Sequence, residues 1–170
     1  IAAVDKVILG VYNGALYAGT TETTTGQAGL YRFDGLGALA TSWILINTTV
    51  GRFNTTTAID GVSAMTVYNG RLYLGTTESG KADVYRYDGN IGTSVFTSVV
   101  SAEGTISSGA QTAVDTISAL TFFDNSLYAG TTEGVVAEVH KYTDVEGLSY
   151  ALKFNARSDN ATSETITNSE

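Results

Sequence analysis

The chain contains no cysteine and no proline, and only one histidine, one tryptophan and one methionine in 170 residues. Without cysteine there is no disulfide, no thiolate nucleophile and no cysteine-ligated metal, and the redox compartment stays open. A lone histidine, His140, is a poor basis for a metal centre or a Ser-His-Asp triad. Basic residues are scarce as well: nine Lys and Arg against seventeen Asp and Glu give a formal charge of −8. Binding to nucleic acid or anionic lipid needs cations to displace counterions from phosphate, so neither partner is expected. No run of ~18 apolar residues exists, so no membrane insertion is expected. Helical periodicity and Gly-rich phosphate loops are absent, since the glycines mark turns. An initial Ile1 with no signal-peptide pattern is expected of a processed product or a part of a longer chain.

What the chain does have is a repeat. Leu16-Tyr17-Ala18-Gly19-Thr20-Thr21-Glu22 recurs as Leu72-Tyr73-Leu74-Gly75-Thr76-Thr77-Glu78 and as Leu127-Tyr128-Ala129-Gly130-Thr131-Thr132-Glu133. The tyrosines are spaced by 56 and then 55 residues. A fixed period of this size marks stacked supersecondary units. In the middle unit, Val62–Tyr68 reads as a strand, Asn69-Gly70 as a tight hairpin turn, and Arg71–Thr77 as the returning strand. Ala82–Tyr87 is a third strand, closed by Asp88-Gly89, and a weaker fourth lies around Val95–Val100. The first unit repeats this with turns at Asn13-Gly14 and Asp34-Gly35, and a fourth strand at Ser42–Ile46. Its first strand is one residue short, because Asp5 to Tyr12 spans seven steps where Asp60 to Tyr68 spans eight; a lost bulge is the expected cause. The third unit substitutes Asp124-Asn125 for the Asn-Gly turn, and its fourth strand is expected at Ser149–Phe154.

The expected fold class is therefore all-β: three tandem four-stranded antiparallel repeats of about 55 residues. A β domain over 1–155, with repeats at about 1–57, 58–112 and 113–155, would precede a polar tail or linker over 156–170. That last segment has too little apolar area to offset its ordering entropy.

A tight turn, then Gly-x-Leu-Tyr-x-Gly-Thr, then Val84-Tyr85-Arg86-Tyr87-Asp88-Gly89, resembles a blade of bacterial extracellular β-propeller repeats, of the kelch-like or Asp-box-like kind. The resemblance spans residues 1 to about 155, though the chain lacks the full kelch Gly-Gly doublet and the full Asp-box motif. It implies propeller-like blades; a β-trefoil or β-prism is the alternative architecture for three repeats. It also implies an extracellular or cell-surface location. Closed propellers usually have four to eight blades, so three imply self-association or further blades of a longer chain.

The same resemblance would bring six carboxylates to one face: Glu22, Glu78 and Glu133 after each Gly-Thr-Thr, and Asp5, Asp60 and Asp115 before each inner strand. They could take a cation, with Ca2+ the metal such oxygen ligands suit, or hydrogen-bond a glycan or a protein ligand. The opposing reading is that an Asp before a strand satisfies turn N–H groups, as the repeat needs in order to fold. No Asp-x-Asp-x-Asp-Gly loop is present, and no cofactor is expected. Tyr17, Tyr73 and Tyr128, and likewise Tyr31, Tyr85 and His140, read as packing between sheets rather than as sugar platforms. Arg32, Arg86 and Lys141 read as cross-strand partners of acids. Three sequons at Asn47, Asn54 and Asn160 are glycosylation candidates.

The expected function is thus a non-catalytic extracellular recognition or assembly module. A glycan-active enzyme or lectin of the Asp-box propeller type is the alternative.

Overall fold

The computed structural model describes residues 4–22, 26–35, 42–54, 58–92, 95–99, 103–106, 113–134, 136–142 and 150–157. Among them there are twelve strands and no helix. The first four are β1 (Lys6–Tyr12), β2 (Ala15–Thr21), β3 (Leu30–Phe33) and β4 (Trp43–Leu45). The next four are β5 (Gly61–Tyr68), β6 (Arg71–Thr77), β7 (Val84–Tyr87) and β8 (Phe96–Ser98). The last four are β9 (Thr116–Phe123), β10 (Ser126–Glu133), β11 (Val136–Tyr142) and β12 (Tyr150–Arg157). The chain is all-β, and its strands pair antiparallel into an open sheet network. No helix among the described residues is long and apolar enough to cross a membrane.

Within each group of four, every strand pairs with the next in sequence. The leading hairpins follow from their turns. Asn13-Gly14, Asn69-Gly70 and Asp124-Asn125 all hold positive φ at both positions, between 44° and 72°, the conformation whose twist suits a two-residue hairpin. Asn tolerates this region well enough to replace glycine in the third turn. One pairing links each group to the next, Thr21 to Gly61 and Thr77 to Thr116.

The short first strand has the cause its sequence suggests. Opposite β6, β5 carries an extra unpaired residue, Ser63, and opposite β10, β9 carries Ser118. β1 runs against β2 with an unbroken register from Lys6 to Tyr12. The bulge is missing there, and Val7 therefore occupies the register position of Val62 and Ile117.

Period-two alternation explains the core. Leu72, Leu74, Tyr85, Tyr87 and Phe96 on one face of the middle group pack with Tyr12, Tyr17, Leu30 and Phe53. Tyr68, Tyr73 and Val84 on its other face pack with Ile117, Leu127 and Ala129. Burial on both faces is why β6 is buried from Leu72 to Thr76 without a break. Among the described residues, the outer groups leave apolar side chains exposed: Val7, Leu9 and Val11 along β1, and Phe123 at the end of β9.

Two expectations need correction. The strand expected to end at Phe154 continues to Arg157, because Ala156 and Arg157 pair with Ala137 and Val136; residues 156 and 157 therefore belong to the sheet, while 158–170 lie outside the described residues. Arg86 does not pair with an acid on a neighbouring strand. Its Nε lies 3.2 Å from Asp88 Oδ1, two residues along, and Arg71 shares that carboxylate at 3.4 Å.

Candidate functional site

The carboxylates lie where one strand group hands over to the next. Before each inner strand the chain must turn, and the aspartate there bonds main chain on both sides. Asp60 N donates to Thr77 O at 3.1 Å, while its carbonyl accepts from Glu22 N at 3.0 Å. Asp115 repeats this with Thr132 O at 2.9 Å and Glu78 N at 3.1 Å. The side chains do the same work: Asp60 Oδ1 accepts from Gly26 N at 2.6 Å, and Asp115 Oδ1 from Gly80 N at 2.8 Å. Asp115 Oδ2 also takes the amide of Gly134 at 3.1 Å. Asp5 begins the series with its N–H on Thr21 O at 2.9 Å. The Asp60 and Asp115 side chains cap turns, in line with the structural reading of the motif.

The glutamates differ. Glu22 is almost wholly buried, Glu78 and Glu133 partly so. Oε2 of both Glu22 and Glu78 is shielded from solvent and has no hydrogen-bond partner among the described residues. Desolvation pushes the Glu78 carboxyl above its ordinary value; the charge of Asp60 adds to this and Lys81 counters it. Glu22 in turn helps to raise the Tyr31 hydroxyl, after burial as the larger cause. Glu78 and Asp60 meet through a side-chain hydrogen bond, yet the six carboxylates do not converge as a set. Among the described residues, no three Asp, Glu or His side chains lie close enough to share a metal ion.

The inter-sheet aromatic reading holds for Tyr17, Tyr73 and Tyr85, all buried in the core clusters. Tyr128 is half-buried, with Lys141 Nζ 6.0 Å from its ring centroid. Asn47 is wrong as a glycan acceptor. Its side chain is fully buried, accepts from Leu30 N at 3.1 Å and donates to Ala28 O and Thr49 O, which leaves no room for a sugar. Asn54 is exposed in a left-handed turn at φ 65°. Asn160 lies outside the described residues.

Sequence reasoning missed two buried polar features at the start of the third strands. Asp83 is fully buried, accepts from Val84 N at 2.6 Å and from Ser98 Oγ at 2.8 Å, and burial pushes its carboxyl up to about 7. In the third group, Glu138 Oε2 lies 3.0 Å from His140 Nε2, both buried. Desolvation pulls that imidazole down to about 4, so at neutral pH the contact is a hydrogen bond rather than an ion pair. The available signal was a departure from the repeat: Gly29, Asp83 and Glu138 hold one register position with three different residues.

No family model, curated protein or solved structure matches this chain.

Proposed function

We propose that this chain is a non-catalytic recognition or assembly module of the extracellular or cell-surface kind, built from three propeller-like blades. The observation that carries the reading is how the acidic residues are used. Asp60 and Asp115 are committed to main-chain amides at the junctions, so two of the six repeated acids serve folding. Consecutive four-stranded meanders, each packed face to face on the next, support blades over a trefoil. The apolar side chains exposed among the described residues of β1 and β9 support a role in contact with another protein.

The glycan-active alternative is favoured by one specific feature, the shielded Oε2 atoms of Glu22 and Glu78, which have no hydrogen-bond partner among the described residues. A glycan array run beside a hydrolysis assay separates the two. The module reading expects no turnover; release of product from any glycoside would replace it with the enzyme.

A further inference from the structure

Each junction inside the chain contains a knob and a notch. A Cβ built on Gly19 of β2 would lie 2.6 Å from Val62 Cγ1, and one on Gly75 of β6 would lie 2.6 Å from Ile117 Cγ2. These glycines exist because a branched side chain from the following group fills the space. Gly130 on β10 is the third of the series, and no described residue of another strand group fills its notch. Its nearest described neighbours, Ala119 Cβ and Ser118 Oγ, stand 3.5 Å away in its own sheet. Its φ is not in the left-handed region either, so neither backbone geometry nor a described neighbour calls for glycine there. At the opposite end, Val7 holds the knob position, paired with Thr20 as Val62 is with Thr76 and Ile117 with Thr131. Val62 and Ile117 are fully buried, whereas Val7 is 52% exposed.

A second contact shows the same vacancy. The Tyr68 ring packs 5.2 Å from Phe122, and its hydroxyl donates to Asn125 O at 3.1 Å. Phe123 holds the Tyr68 position one group later, and Val11 holds the Phe122 position two groups earlier. At 68% and 65%, these are the two most exposed large apolar side chains among the described residues. On the same group, a groove of about 340 Å³ is lined by Val7, Leu9, Ala18, Tyr31 and Trp43, among others.

We propose that the β1–β4 face docks the β9–β12 end of a second copy of this chain, with Val7 seated in the Gly130 notch and Phe123 over Val11. The occupant follows from the two internal junctions, where faces with these same residue positions are already covered by the next four strands. This deepens the assembly reading above and rests on it. The contact joins unlike surfaces, so it closes into a ring if the rotation allows and otherwise extends as a filament.

Light scattering on the 170-residue chain, with circular dichroism as the folding control, tests it. Wild type should associate and dissociate on dilution. Leu9→Asp and Phe123→Asp should each be folded and monomeric alone, and should form a one-to-one heterodimer when mixed, since one intact junction remains. Gly130→Val fills the notch from a half-buried position where a Cβ meets only ordinary contacts at 3.5 Å; it should keep the wild-type melt yet weaken association by at least about tenfold. Should the Asp variants unfold, that variant alone decides. A wild type that stays monomeric at high concentration overturns the proposal and leaves the face to another protein. So does Phe123→Asp or Gly130→Val associating like wild type. Monomers that turn over no glycoside defeat only the docking; turnover defeats the module reading itself.

Discussion

Gly75 and Ile117 meet across the second junction so closely that one added methyl on the glycine would overlap the isoleucine. The backbone around Gly75 lies in the middle of β6, and Ile117 sits in β9 under full burial. Neither can retreat without moving a strand. Gly75→Ala should therefore destabilise the fold by about 1–3 kcal/mol, the usual cost of overpacking a tight core, and Gly19→Ala should do the same through Val62. Chemical denaturation measures both. A neutral Gly75→Ala would mean that the two sheets are not locked together there.

The aspartates of the junctions make a second prediction. Asp115 accepts the part-buried amide of Gly80 and the exposed amide of Gly134 from two different turns, and a charged acceptor contributes more than a neutral one. Asp115→Ala leaves both donors without their partner and should cost about 1–3 kcal/mol. Calcium should not rescue it, and wild-type melts with calcium and with chelator should coincide. A calcium-dependent rise in melting temperature that disappears in Glu22→Gln or Glu78→Gln would instead establish a cation site, since a ligand bound only to the native state raises stability by mass action.

How far the sequence could be read depends on which signals are local. The hairpins were legible because Asn69-Gly70 dictates its own backbone, and the lost bulge was legible because one residue is missing between Asp5 and Tyr12. The strand order within each group follows from these. The roles of Asp60 and Asp115 were legible only as two competing readings, because their partners, Gly26 and Gly80, are 34 and 35 residues away. Asp83 was not legible at all. Its neighbour Ser98 is 15 residues on, and of its counterparts Gly29 has no side chain, while Glu138 carries the carboxyl on a longer stem and turns it to His140 instead. The burial of Asn47 was hidden for the same reason, since a sequon carries no information about what covers it.

Glycosylation makes a third prediction. Secreted through a glycosylating pathway, the chain should carry sugar at Asn54 and none at Asn47, whose amide is spent on Leu30 N, Ala28 O and Thr49 O. Glycopeptide mass spectrometry reads occupancy at each site. Full occupancy of Asn47 in a natively melting sample would contradict its buried position.

The last prediction concerns pH, and two buried groups pull in opposite directions. Asp83 loses its proton near 3.8 when unfolded but near 7 when folded, mainly through desolvation, with Ser98, Val84 and Tyr85 partly offsetting the rise and Glu103 adding to it. Across that window the folded state holds the extra proton, so stability falls as pH rises, and the full cost is present above 7. His140 behaves in reverse. Its folded value is about 4 against 6.5, so the unfolded state holds the extra proton and stability rises with pH across that range. In the wild type the two slopes oppose each other up to 6.5, and only the Asp83 decline remains just above it. Asp83→Asn keeps an acceptor for Val84 N and can donate to Ser98 Oγ, but it cannot ionise. It should be most stabilising above pH 7, by at most about 4 kcal/mol, and should lose that advantage as pH falls towards 4. The variant should also show the uncompensated His140 slope, with stability climbing from pH 4 to 6.5 and then levelling. Denaturant melts at half-unit pH steps resolve this; a constant difference between variant and wild type from pH 4 to 8 would mean that Asp83 does not titrate in this window.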